Sequence, residues 1–103
     1  MSKRSKACDI TPKVRREVME RDGHRCIVCR SQYRLELAHA KISRAHLGLG
    51  VPKNLVVLCQ THHKMLDSGK YKDQVVVKDI VDSYLNIIYG DISESEIKYK
   101  KWG

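Results

Sequence analysis

Two short pairs of soft ligands, Cys26-Ile-Val-Cys29 and Cys59-Gln-Thr-His62, constrain this chain more than any other feature. Zinc takes four nitrogen or sulfur ligands in a tetrahedron, and two close pairs supply them with little added loop strain. The two pairs share one internal spacing and lie about thirty residues apart. A chain of 103 residues holds one domain at most, with a modest core that a metal staple would suit. Metal binding would then contribute folding free energy directly. Two alternatives stay open: the cysteines are reduced core residues, or Cys8 replaces His62 as the fourth ligand. His62 and His63 are adjacent, so only one of them can face the zinc from a helix.

No apolar run is long enough to span a bilayer, and residues 2–6 (Ser-Lys-Arg-Ser-Lys) lead into no apolar signal segment. A cytoplasmic protein is expected, and in a reducing compartment closely spaced cysteines indicate metal before disulfide.

The chain reads as a hairpin and helix flanked by further helices. Residues 1–10 look like a flexible basic arm. Thr11-Pro12 supplies an N-cap and a first-turn proline for a helix over about 12–21, with Val14, Val18 and Met19 at helical spacing and Gly23 as its stop. Cys26–Cys29 is a tight turn. Residues 33–38 alternate as a strand, 40–53 form a longer loop, and Leu55-Val56-Val57-Leu58 suits a buried second strand. A helix follows from Cys59 to about Ser68, and another over 73–89 carries Val77, Ile80, Val81, Tyr84, Leu85 and Ile88 on one face. That face packs on the core or forms a dimer. Ser93 to Glu96 matches a capping box for a short terminal turn, and Trp102 is a candidate anchor for the tail. The expected boundaries are an arm at 1–10 and one domain at 11–103, with its core at 24–69 and a helical extension at 72–103.

Charge is distributed unequally. Residues 1–53 hold 13 Lys/Arg against 5 Asp/Glu, whereas residues 54–103 hold seven of each. A one-sided basic field favours a polyanion, most often nucleic acid.

The zinc reading leaves His39, Asn54 and His63 unassigned. They fall at the end of the first strand, just before the second strand, and on the following helix. A hairpin packed on a helix would gather them around one small cavity. The residues Leu35-Glu-Leu-Ala-His39 and Gly48-Leu-Gly-Val-Pro-Lys-Asn54-Leu-Val-Val-Leu-Cys59-Gln-Thr-His62-His63 resemble the HNH endonuclease signature. The likeness is greatest to the small HNH proteins of phages and prophages of Gram-positive bacteria, and takes in Arg44 and the tail Lys98-Tyr-Lys-Lys-Trp102. It implies an α+β fold of the ββα-metal (His-Me finger) type, with a structural zinc site, an N-terminal helix and one or two C-terminal helices.

The resemblance also implies roles. His39 would be the general base that activates water. Asn54 would fix the loop carrying the base or help hold the catalytic metal. His63 would be a ligand of that metal, and Asp67, one helical turn further on, a candidate second ligand. The catalytic cation would be Mg²⁺ or Mn²⁺, beside a structural Zn²⁺. The sequence departs from the family twice. Ala38 stands where many members place a ligand, so Glu36 on the same strand face or Asp67 would have to substitute. His62 stands where the family usually has cysteine.

Arg44 is expected to clamp a phosphate bidentately, with Lys41 weaker. Lys3, Arg4, Lys6, Lys13, Arg15 and Arg16 would add non-specific attraction to DNA that salt weakens. His46 reads as solvated. The resemblance implies a phage or prophage role alongside DNA-packaging proteins, as monomer or homodimer. The competing reading is a non-catalytic, zinc-stapled DNA-binding module, which would not need His39, Asn54 and His63 together.

Overall fold

The computed structural model describes residues 3–100, and their side chains from Lys6 onward. Seven elements follow in order: helix α1 (Lys3–Cys8), helix α2 (Pro12–Arg21), strand β1 (Leu35–His39), strand β2 (Leu55–Cys59), helix α3 (Gln60–Ser68), helix α4 (Tyr71–Tyr89) and helix α5 (Glu94–Ile97). Among the described residues no helix is long and apolar enough to cross a membrane.

Local chemistry sets most of these boundaries. The Thr11 hydroxyl accepts the Val14 N–H at 3.2 Å and Pro12 opens α2, which satisfies one of the four free donors at the helix start. Strand β1 begins at Leu35 rather than Tyr33, because Arg34 sits in the left-handed region at φ 50° and cannot continue an extended strand. It runs on to His39, so the histidine is the last strand residue. Helix α4 starts two residues earlier than its apolar spacing indicates. Ser93 and Glu96 cap α5 reciprocally.

The strands pair antiparallel from Leu35 opposite Cys59 to His39 opposite Leu55. Successive side chains alternate between faces. Ala38, Val56 and Leu58 pack with Leu66 of α3 and Val77, Val81 and Leu85 of α4. Leu37, Leu55 and Val57 pack on the other face with Val18 of α2. Every residue of β2 is buried, which explains its unbroken apolar run. Of the face expected on α4, Val77, Val81 and Leu85 enter the core, whereas Ile80 and Ile88 stay exposed.

A buried ion pair locks these layers together. The Asp22 carboxylate receives Arg21 Nε and Nη2 at 2.7 and 3.0 Å, the Val57 N–H at 2.8 Å and the Tyr84 hydroxyl at 2.6 Å. Arg21 also donates to the Pro52 and Leu55 carbonyls at 2.8 and 2.6 Å. Burial disfavours the Arg21 cation, but its bonds to Asp22 and Tyr89 outweigh that and hold it more firmly charged than a free arginine. Burial and the bond to Asp22 push the Tyr84 phenol up to about 12.

The loop between the strands is pinned from both ends of the chain. Gly50 N–H donates to Ala7 O at 3.1 Å, Leu49 N–H to Ile97 O at 2.7 Å, and Tyr99 N–H to Leu47 O at 2.8 Å. Within the segment 1–10 expected as a flexible arm, residues 3–8 are helical and Cys8 is only 2% exposed. The tertiary seat, rather than any local apolar spacing, orders this segment. Met1, Ser2 and the side chains of Lys3 and Arg4 lie outside the description, as does the proposed tail anchor Trp102.

Candidate functional site

The turn before β1 and the first turn of α3 bring four ligand residues together. One donor atom from each of Cys26, Cys29, Cys59 and His62 falls within a group no more than 4.8 Å across. Cys29 Sγ lies 3.7 Å from Cys59 Sγ, and His62 Nδ1 lies 3.7 Å from Cys26 Sγ and 3.2 Å from Cys59 Sγ. Zinc–sulfur bonds of about 2.3 Å give a tetrahedral edge of roughly 3.8 Å, so the donors have nearly the spacing a zinc ion requires. The cluster could hold a zinc ion.

The thiols of this cluster differ in acidity. Burial opposes ionisation of Cys26, yet the N–H groups of Cys29, Cys59 and Val28 bring it below an ordinary thiol. Burial pushes Cys59 up, and the neighbouring cysteines add to this. Three adjacent thiols ionise together only when a cation compensates them. Cys8 is not in this group, so its candidacy as fourth ligand is set aside. It lies instead at the end of α1, beside His39.

His39 closes β1. Its Nε2 lies 2.8 Å from the Cys8 carbonyl oxygen. A carbonyl only accepts, so Nε2 carries the proton, and in the neutral ring Nδ1 keeps the lone pair. Burial holds the imidazole below its ordinary pKa of 6.5; the Cys8 carbonyl opposes this, while the positive charge of Arg44 adds to it. His39 is thus a base kept neutral near pH 7. It lines a cavity of about 500 Å³ together with Lys41, His46, Leu66, Asp67 and Lys78.

On α3, His63 stands between two carboxylates. Nδ1 is 2.7 Å from Glu36 Oε1, and Nε2 is 3.1 Å from Asp67 Oδ2. The strand alternation that turns Glu36 to the α3 side, away from His39, makes this contact. The ring thus meets a strand carboxylate at Nδ1 and a carboxylate of its own helix at Nε2. Glu36, named from sequence as a possible substitute ligand on the Ala38 face, meets the His63 ring at Nδ1, a contact that strand parity makes possible.

Asn54 is not at the cavity. It is fully buried, and its Oδ1 accepts the Lys41 and Ile42 N–H groups, both at 2.9 Å, while Nδ2 donates to Ile42 O and Leu49 O at 2.9 and 3.1 Å. Both lone pairs and both hydrogens are engaged. Of the two roles the resemblance offered, these bonds match loop fixing. Gly48 lies against this side chain: a Cβ there would stand 1.8 Å from Ile42 O and 2.8 Å from Asn54 Nδ2.

The cationic candidates differ in environment. Arg44, in a short 3₁₀ turn, pairs with Asp9 at 2.5 Å and is half exposed. Lys41, 14% exposed and 3.8 Å from Asp82, lines the His39 cavity. Arg15 and Arg16 are exposed on α2. His46 is exposed and bonds Ser43 Oγ through Nδ1 at 2.7 Å.

No family model and no curated protein matches the chain. Among solved structures it is similar to the Type IV phosphorothioation-dependent restriction endonuclease ScoMcrA, with a TM-score of 0.55 and 22% identity over 76% of this chain and 20% of that one. The chain spans about a fifth of that enzyme's length, and the likeness is one of fold.

Proposed function

We propose that this protein is a metal-dependent DNA endonuclease of the ββα-metal, HNH type, with a structural zinc. The observation that carries the proposal is His39, a neutral imidazole with one fixed tautomer, opening on a cavity that Asp67 also lines. In this reading His39 Nδ1 takes a proton from the attacking water. His63 and Asp67 hold a divalent cation, with Glu36 fixing the His63 ring behind it. That cation supplies charge neutralisation on the phosphate and on the leaving oxygen. Asn54 keeps the loop in shape, and Arg44 exchanges Asp9 for a DNA phosphate. Arg15 and Arg16 add salt-sensitive backbone attraction.

The fold likeness to a restriction endonuclease supports the class of chemistry. The family resemblance supports a phage-encoded role beside packaging proteins in the host cytoplasm.

One observation favours the alternative of a non-catalytic, zinc-stapled DNA-binding module: among the described residues, only in the Cys/His cluster do single donor atoms from three or more such residues all lie within 4.8 Å of one another. Supercoiled plasmid distinguishes the two readings. With Mg²⁺ or Mn²⁺ the parent should nick or linearise it, EDTA should stop the reaction, and His39→Ala should lose roughly 10²–10⁴-fold while still binding DNA. Equal cleavage by His39→Ala removes His39 as the base. Binding without cleavage under any metal leaves the DNA-binding module.

A further inference from the structure

The N-terminal segment seats the proposed base, although it lies outside the hairpin–helix unit. Two contacts other than the His39 bond, together with the burial of Cys8, hold Ala7–Asp9 beside the loop. The Ala7 carbonyl accepts the Gly50 N–H at 3.1 Å. The Cys8 side chain is buried. The Asp9 carboxylate receives Arg44 Nη2 at 2.5 Å. Gly50 also leaves room for this crossing: a Cβ there would stand 2.2 Å from Asp9 O and 3.0 Å from Cys8 O. A contact of 2.2 Å cannot be relieved by rotating a side chain, because the atom met is backbone. The chain must therefore keep glycine at position 50 or move the segment.

We infer that Ala7–Asp9 is the positioning element of the catalytic imidazole, its Cys8 carbonyl holding the Nε2 proton of His39 so that Nδ1 alone is available to a water. The inference rests on the endonuclease reading and deepens it, since it makes base geometry depend on residues far from the metal-binding helix. A ring released from this carbonyl can place its proton on either nitrogen and can turn about its side-chain bonds. Both changes lower the fraction of molecules with a base in place without altering how DNA is bound.

The test uses the full chain, zinc-loaded, with ¹⁵N-labelled histidine. In the parent, NMR should show neutral His39 as one tautomer with the proton on Nε2. Gly50→Ala should shift His39 toward a tautomer mixture and lower the kcat for plasmid nicking by about tenfold or more, with KM within about twofold of the parent. Zinc content should stay unchanged. Asp9→Ala, which removes only the Arg44 tether, should move the tautomer ratio in the same direction by less. It keeps the inference testable if Gly50→Ala fails to fold. A parent ring protonated on Nδ1 overturns the inference. So does a folded Gly50→Ala protein with the parent's tautomer and kcat. The tautomer is read without DNA, so a failure here is distinct from a failure of the endonuclease reading, which would appear as cleavage independent of His39.

Discussion

Replacing Asp22 with alanine removes the acceptor of four hydrogen bonds at once, from Arg21 Nε and Nη2, the Val57 N–H and the Tyr84 hydroxyl. The Asp22 side chain is fully buried and that of Arg21 nearly so. Removing one partner of a buried ion pair costs about 3–5 kcal/mol, much of it the penalty of the charge left behind. A buried N–H without a partner costs about 1–3 kcal/mol more. The two costs overlap, and Arg21 keeps its bonds to Pro52 O and Leu55 O, so a total of about 4 kcal/mol is appropriate. In a domain of this size each kcal/mol moves Tm by about 4–8 °C, which predicts a fall of roughly 15–30 °C. Thermal melting of the zinc-loaded protein, followed by circular dichroism, measures it. Adding Arg21→Met to Asp22→Ala should recover part of the loss, because no charge is then stranded. A melting point for Asp22→Ala within about 5 °C of the parent would refute the reasoning, since a well-braced buried pair cannot be removed at so small a cost.

Asn54→Ala should destabilise the protein by about 2–4 kcal/mol, because two loop N–H groups and two carbonyls lose their partner. Plasmid nicking should fall at least about tenfold below the melting transition as the loop beside His39 loosens; unchanged nicking would contradict a loop-fixing role. Elemental analysis should find one zinc per chain in the parent and in Cys8→Ala, but a large loss in Cys59→Ser with a lower melting point. The acid limb of kcat/KM should have its midpoint below pH 6.5, since the neutral ring is the active form and burial makes His39 harder to protonate than a free histidine. A limb centred above pH 6.5 would show that His39 is not the titrating base.

The zinc pairs, the buried second strand and four of the helices were legible because each is written in local spacing. Thr11-Pro12 and Ser93 to Glu96 mark their helix starts through contacts three residues apart. Helix α1 carries no such mark. Half of its six residues are basic, and its Ala7 carbonyl is held by Gly50, more than forty positions away. Asp22 was equally silent, since Arg21-Asp22-Gly23 has the composition of any helix end, and only the tertiary fold buries the carboxylate beneath Val57 and Tyr84. Asn54 could be named but not assigned, because an amide that ties a loop and one that binds a metal look alike in sequence. Glu36 lay closer to reach: strand parity puts it on the Ala38 side, opposite the residues that pack on α2.

The strand-connecting loop takes its shape from partners at opposite extremes of the chain, Ala7 on one side and Ile97 with Tyr99 on the other. Contacts of such wide sequence separation carry a loop-closure cost that the nearer contacts of the helices do not. The ground beside His39 is therefore held by contacts separate from the Cys/His cluster and the buried strand, and its local opening need not disturb either. A fully metallated, helical protein can thus coexist with a base that has not yet found its place.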